Sequence, residues 1–328
     1  MPGLKIYSES WPLREAFTIS RGSRTETSVI VCELEDNGVK GWGEGQPNAR
    51  YNETRDSTIS EIEKFRANIE SGEINRLILQ EVMPAGAARN ALDCAFWDLE
   101  AKLVGKPVWE LAGLQMPGPV TTAFTLSAGS PAQMAFTAEQ NRHRPLIKMK
   151  LIGKDDLDCV HAVRNILPET PIIVDANEGW DLQMLEEFAA KLKSMSVELI
   201  EQPLPSSLDQ SLANIPHPVP ICADESCLTS ANLAGLKGRY EVINIKLDKT
   251  GGLTEALKLR RAALSAGIQV MVGCMIATSL SMAPGVLVAQ GAVIVDLDGP
   301  LLLERDREFG LHYDELGRVH PSEPVLWG

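Results

Sequence analysis

The stretch Pro171-Ile172-Ile173-Val174-Asp175-Ala176-Asn177 is a short β-branched run that ends on ionisable and polar residues. Seven further runs of this kind cover residues 120–126, 147–151, 197–202, 220–224, 242–247, 269–273 and 293–298. From Met149 to Asp296 the centres of successive runs lie 22 to 26 residues apart, and helical patterns such as 182–194 and 254–266 fill the gaps. Eight strands alternating with helices at this period predict parallel βαβ units closed into a barrel. An open doubly wound sheet is the alternative. No G-x-G-x-x-G follows a strand, which argues against a dinucleotide site. Gly251-Gly252 reads as a tight turn.

Residues 1–115 follow a different pattern. Strand-like runs at 27–34 and 38–44 flank Asp36-Asn37-Gly38, a hairpin signal. Helices are expected over 54–70, 75–81 and 85–104. In the last, Ala88, Ala91, Leu92, Ala95, Phe96, Leu99 and Leu103 form one apolar face before Gly105-Lys106-Pro107 ends it.

Barrel chemistry gathers where strands end. Those ends carry Lys148 and Lys150, then Asp175 and Asn177, Glu201, Asp224 with Glu225, Lys246 with Asp248 and Lys249, and Asp296 with Asp298. One carboxylate at a strand end is ordinarily a helix cap or a surface ion pair. Asp175, Glu201 and Asp224 lie on three successive ends and would converge across the mouth, which is costly without a cation. An all-oxygen set suits Mg²⁺, and the lack of Cys or His disfavours zinc. Lys150 and Lys246, on the second and sixth strands, would face each other across that site. A neighbouring cation and Lys148 would lower the pKa of Lys150. Two neutral amines on opposite faces of a carbon acid can remove a proton from one side and return one to the other. The plainer reading is a salt-bridge network.

The chain has 328 residues, which suggests about two domains. Its formal net charge of −13 argues against nucleic acid or an anionic membrane surface as partner. The longest apolar runs are too short to span a bilayer. Six scattered cysteines without a Cys-x-x-Cys pair, and an N-terminus without a secretory apolar stretch, read as buried thiols of a cytoplasmic protein.

Taken together, Ile147-Lys148-Met149-Lys150, Val174-Asp175-Ala176-Asn177, Ile200-Glu201-Gln202-Pro203, Ala223-Asp224-Glu225-Ser226, 244–252 and 296–300 resemble the enolase superfamily, muconate-lactonising subgroup. Within it the chain looks most like dipeptide epimerases acting on L-Ala-D/L-Glu. The resemblance implies a modified (β/α)7β barrel, of the (β/α)8 type, over 116–300. It also implies an α+β capping domain over 1–115, to which residues beyond about 300 return. It implies one Mg²⁺ per subunit on Asp175, Glu201 and Asp224, and catalysis by Lys150 and Lys246 with Lys148. Asn177, Glu225 and Lys249 would support them. Asp296 and Asp298 would bind the ammonium of a dipeptide substrate. Arg24, or failing that Arg21, would bind its glutamate side chain. The place in metabolism would be the handling of peptidoglycan peptides. Alternatives are a cycloisomerase, an o-succinylbenzoate synthase, an N-acylamino-acid racemase, a Schiff-base lyase or a non-catalytic binding protein. Relatives with this barrel often form homo-oligomers.

Overall fold

The structure, a computed structural model, describes residues 2–328. An antiparallel sheet opens the chain: β1 (Gly3–Ile19), β2 (Gly22–Asp36) and β3 (Val39–Gly45). Asn37 and Gly38, at φ 51° and 78°, close the β2–β3 hairpin as Asp-Asn-Gly predicts. The β1–β2 register runs from Gly3 opposite Glu35 to Pro12 opposite Glu26, then slips so that Phe17 faces Arg24. That irregularity redirects the far end of the hairpin, which carries Arg21 and Arg24.

The helix expected over 54–70 is two helices, α1 (Arg55–Glu63) and α2 (Arg66–Glu70), parted at Lys64-Phe65. Then follow α3 (Arg76–Val82) and α4 (Ala87–Val104). α4 lies directly on β3, whose alternate residues Gly41, Gly43 and Gly45 face it. A Cβ at Gly43 would sit 2.2 Å from the carbonyl oxygen of Ala91, so only glycine admits the helix this closely.

The eight expected barrel strands are present: β4 (Phe124–Leu126), β5 (Ile147–Lys150), β6 (Ile172–Asp175), β7 (Val197–Glu201), β8 (Ile221–Ala223), β9 (Val242–Ile245), β10 (Gln269–Gly273) and β11 (Ile294–Asp296). They pair in sequence order, all parallel. The first and last strands nearly close the ring, since the Ala123 amide donates to the Val295 carbonyl at 2.8 Å.

Two further expectations fail, both in the barrel half. The run 120–126 is not one strand, because Val120–Thr121 pairs antiparallel with Arg318–Val319 and only 124–126 join the barrel. The connection after β7 is a 3-10 run, Ser206–Asn214, in a segment where Pro203, Pro205, Pro216, Pro218 and Pro220 remove amide donors.

The C-terminal segment runs back over the first half. Arg307 pairs with Glu9 at 2.6 Å and Glu44 at 2.7 Å, and the Gly328 amide donates to Asp98 at 2.7 Å. All six cysteines are free. No helix among the described residues is long and apolar enough to cross a membrane.

Candidate active site

Parallel pairing sets the strand ends side by side: Lys150 is opposite Asp175, and Asp175 is opposite Glu201. One oxygen from each of Asp175, Glu201 and Asp224 falls within 4.8 Å of the other two, and all three residues are buried. Glu201 Oε2 lies 2.6 Å from Lys148 Nζ without hydrogen-bonding geometry, so among the described residues it is a buried oxygen with no hydrogen-bond partner. A hard cation that takes only oxygen ligands fits this set, and Mg²⁺ is the natural occupant.

Four lysines surround the carboxylates. Lys150 Nζ is 2.6 Å from Asp175 Oδ2, and Lys246 Nζ is 2.7 Å from Asp224 Oδ2. Lys249 donates to Asp224 Oδ1 at 2.6 Å and to the Asn244 carbonyl at 2.8 Å. Lys148, the expected partner of Lys150, shares Asp175 Oδ2 with it, at 3.1 Å against 2.6 Å. It is 1% exposed and also meets Glu201 at 2.6 Å and Asp296 at 2.7 Å. Its charge is matched by three carboxylates, and it does not line the cavity that Lys150 and Lys246 share.

Burial pushes the carboxyls of Asp175 and Asp224 upward, but the lysines overcome it. Lys150 and Lys148 hold Asp175 well below the usual range, and Lys246 and Lys249 do the same for Asp224. Glu201 stays raised, by burial and then by Asp175. Burial works against the charge on Lys246, yet Asp224 and Glu201 keep its ammonium well above the ordinary value.

The cavity above the triad is lined by Lys150, Lys246, Asp224, Asn177, Glu225, Asp296, Asp298, Arg21 and Arg24. The Asn177 amide donates to Asp175 Oδ1 at 2.9 Å, and its side chain reaches Glu225 at 3.4 Å. Glu225 is raised to about 7 by burial and by Asp224. Asp296 is occupied by Lys148, whereas Asp298 Oδ2 accepts the Thr125 amide at 2.7 Å. Burial and Asp296 raise Asp298 to about 7.

The two arginines differ. Arg21 pairs with Glu225 at 2.9 Å and donates to the Asn177 carbonyl at 2.9 Å. Arg24 makes no ion pair or side-chain hydrogen bond among the described residues, and burial and Arg21 lower its pKa.

A cap loop after β3 also reaches the cavity through Asn48 and Tyr51, neither of which the sequence singled out. Its neighbour Arg50 clamps the loop to the barrel, donating to Glu178 at 2.6 and 2.8 Å. Asn177 and Glu178 adopt φ 47° and 65°, two consecutive left-handed residues that present Glu178 to Arg50. Burial, then Asp224, pushes the Tyr51 phenol up.

Residues 1–113 match the mandelate racemase/muconate lactonizing enzyme N-terminal domain, and 133–320 match the enolase C-terminal domain-like family. The L-Ala-D/L-Glu epimerase of Escherichia coli is 44% identical over 322 residues, 98% of this chain and 100% of that one. The N-acetyl-D-glutamate racemase of a Pseudoalteromonas species is also 44% identical, over 92% of this chain and 95% of its own. Among solved structures, an Agrobacterium tumefaciens enolase family member with bound sodium and L-Ala-L-Glu superposes with TM-score 0.97. It is 47% identical and both chains are fully covered. The dipeptide epimerase of Enterococcus faecalis, complexed with Mg and L-Leu-L-Tyr, superposes with TM-score 0.89 at 28% identity, covering 98% of this chain and 97% of its own. Matched in cap and barrel alike, the chain belongs to the enolase superfamily, in its mandelate racemase/muconate lactonizing group.

Proposed function

We propose that the chain is a Mg²⁺-dependent dipeptide epimerase that interconverts L-Ala-D-Glu and L-Ala-L-Glu. The carrying observation is that Lys150 and Lys246, from the second and sixth strands, line one cavity on either side of the carboxylate triad. Asp175, Glu201 and Asp224 would hold the Mg²⁺, which supplies charge stabilisation to the substrate carboxylate as its α-carbon loses a proton.

One lysine, as a neutral amine, takes the glutamyl α-proton from its face. The other, as an ammonium, returns a proton to the opposite face. The roles exchange in the reverse direction. Lys148 keeps the triad and Asp296 charge-compensated from below. Asp298, with Asp296, receives the substrate ammonium. Arg24, having no ion pair or side-chain hydrogen bond among the described residues, takes the glutamate side-chain carboxylate as a planar fork. The site thus has an anionic end on the eighth strand and a cationic end on the cap hairpin, the polarity of a dipeptide ending in glutamate. The same reading makes residues 1–115 the cap and 116–300 the barrel. The ion pairs of Arg307 support a return of the last residues to the cap.

Proton NMR of the Mg²⁺-loaded protein in D₂O with L-Ala-L-Glu tests the reading. Loss of the glutamyl α-proton signal with appearance of L-Ala-D-Glu is expected. An inert substrate with Mg²⁺ bound would refute it.

A second reading, racemisation of an N-acylated glutamate, has one observation in its favour. Lys148 already matches the charge of Asp296, which leaves the anionic end weaker than two bare carboxylates. Offering N-acetyl-D-glutamate beside the dipeptide separates the two by their relative kcat/KM.

A further inference from the structure

The turn that carries Lys246 is held from outside by a helix of the N-terminal half. Lys246 caps a single helical turn, Leu247–Thr250, and the amides of Lys249 and Thr250 both donate to its carbonyl at 3.0 Å. α4 meets this turn with one face. Arg89 donates to the carbonyls of Gly251 at 3.1 Å and Thr250 at 2.6 Å. Asn90 donates to Asp248 Oδ1 at 2.8 Å. Asp93 accepts the Thr254 amide at 2.9 Å and its hydroxyl at 2.6 Å.

Gly251 and Gly252 make the approach possible. A Cβ on them would sit 2.5 Å from Arg89 Nε and 2.4 Å from Asp93 Oδ2, and both have positive φ. Asp248 Oδ1 also accepts the Gln46 amide at 2.8 Å. Gln46 begins the cap loop that brings Asn48 and Tyr51 to the cavity. One buried carboxyl oxygen therefore joins α4, the substrate-facing loop and the Lys246 turn.

Lys150 is held differently. The chain after it bonds back to the barrel, from the Leu151 amide to the Asp175 carbonyl at 2.9 Å, and from the amides of Ile152 and Gly153 to Asp156 at 2.9 and 3.0 Å. Among the described residues, no hydrogen bond from 147–156 reaches the cap.

We propose that Asp248 is a positioning residue that sets Lys246 and the cap loop together through Asn90 and Gln46. The placement of Lys246 then depends on the cap through this link, and the placement of Lys150 does not, while the cap's part in substrate binding is common to both faces. The inference rests on the two-lysine reading above and adds an asymmetry to it.

The test is α-proton exchange in D₂O, measured separately from L-Ala-L-Glu and L-Ala-D-Glu with the Mg²⁺-loaded protein. Lys246→Ala and Lys150→Ala first assign which epimer each lysine serves. Asp248→Leu and Asn90→Leu should then slow exchange from the Lys246 epimer about tenfold or more, as a displaced catalytic group does. With substrate saturating, so that changes in binding do not enter, exchange from the Lys150 epimer should change by no more than about twofold, within the margin of additive distant effects. Asp248→Asn keeps an acceptor oxygen for Gln46 and Asn90 and should restore near-native exchange. Should Asp248→Leu not fold, Asn90→Leu carries the comparison. Equal slowing of both epimers, unchanged exchange, or an Asp248→Asn variant as slow as Asp248→Leu would overturn the inference alone. Lysine variants that fail to separate the epimers would overturn the two-lysine reading, and this inference with it.

Discussion

Arg21 is bound to Glu225 at 2.9 Å, while Arg24, three residues further along the same hairpin, has no protein partner for its guanidinium among the described residues. The division of labour follows from the register slip between Pro12 and Phe17, which decides the pairing of the hairpin's end. Arg24→Met should raise KM for L-Ala-L-Glu by about 10- to 100-fold, the worth of a hydrogen-bonded charge contact of about 1.5–3 kcal/mol. A dipeptide ending in a neutral residue should lose little. Arg21→Met should instead disturb Glu225 and lower kcat. Steady-state kinetics with the two substrates checks this, and an Arg24 variant with unchanged KM for L-Ala-L-Glu would remove the assignment.

Without a cation, the triad is balanced by Lys148, Lys150, Lys246 and Lys249. Chelation should therefore abolish turnover yet leave the protein folded. Mg²⁺ at about 100 times its Kd should add about 2.7 kcal/mol of stability. Asp175→Asn should lose most of that increment. Thermal melts with and without Mg²⁺ read both. A native-like Mg²⁺ increment in Asp175→Asn would take Asp175 out of the ligand set.

Buried Asp248 is raised to about 7, first by burial and then, among charges, by Glu53 and Glu44. The unfolded carboxyl ionises near 3.9, so the native state holds an extra proton between about 4 and about 7. The contribution of this group to stability is complete below about 4 and is lost as pH rises through about 7. Denaturant unfolding should therefore show stability falling over that window. Asp248→Asn cannot ionise, and its slope there should be shallower by up to about 1.4 kcal/mol per pH unit. Identical slopes in the two proteins would contradict a neutral Asp248.

Much of the barrel could be read from the spacing of its strands, because parallel βαβ units fix both period and direction. The triad followed from the ends of β6, β7 and β8, which a parallel register must align. Other features depended on backbone geometry that leaves no mark in composition. Lys148 and Lys150 alternate on one strand and point the same way, but Lys148 lies one layer deeper, where it meets three carboxylates. Tyr51 reaches the site because Arg50 finds Glu178, and Glu178 is presented by two residues in left-handed conformation. Gly251-Gly252 was legible as a turn, yet its need for glycine comes from α4, some 160 residues earlier in the chain.

Asp298 stands beside the cavity with its carboxylate tied to the first barrel strand. Its Oδ2 is held by the Thr125 amide at 2.7 Å, and burial and Asp296 raise its carboxyl to about 7. Only the ionised form attracts an ammonium strongly, so dipeptide affinity should rise as pH increases through about 7. Asp298→Asn should remove that dependence and raise KM for L-Ala-L-Glu by about tenfold or more, consistent with loss of one charged hydrogen bond. An N-acetylated substrate carries no ammonium and should be spared. KM profiles across pH 5.5–8.5, an interval centred on that about-7 value, decide the matter. An unchanged KM for L-Ala-L-Glu in Asp298→Asn, or equal losses for both substrates, would place the ammonium elsewhere and leave Asp298 as a buttress for Thr125.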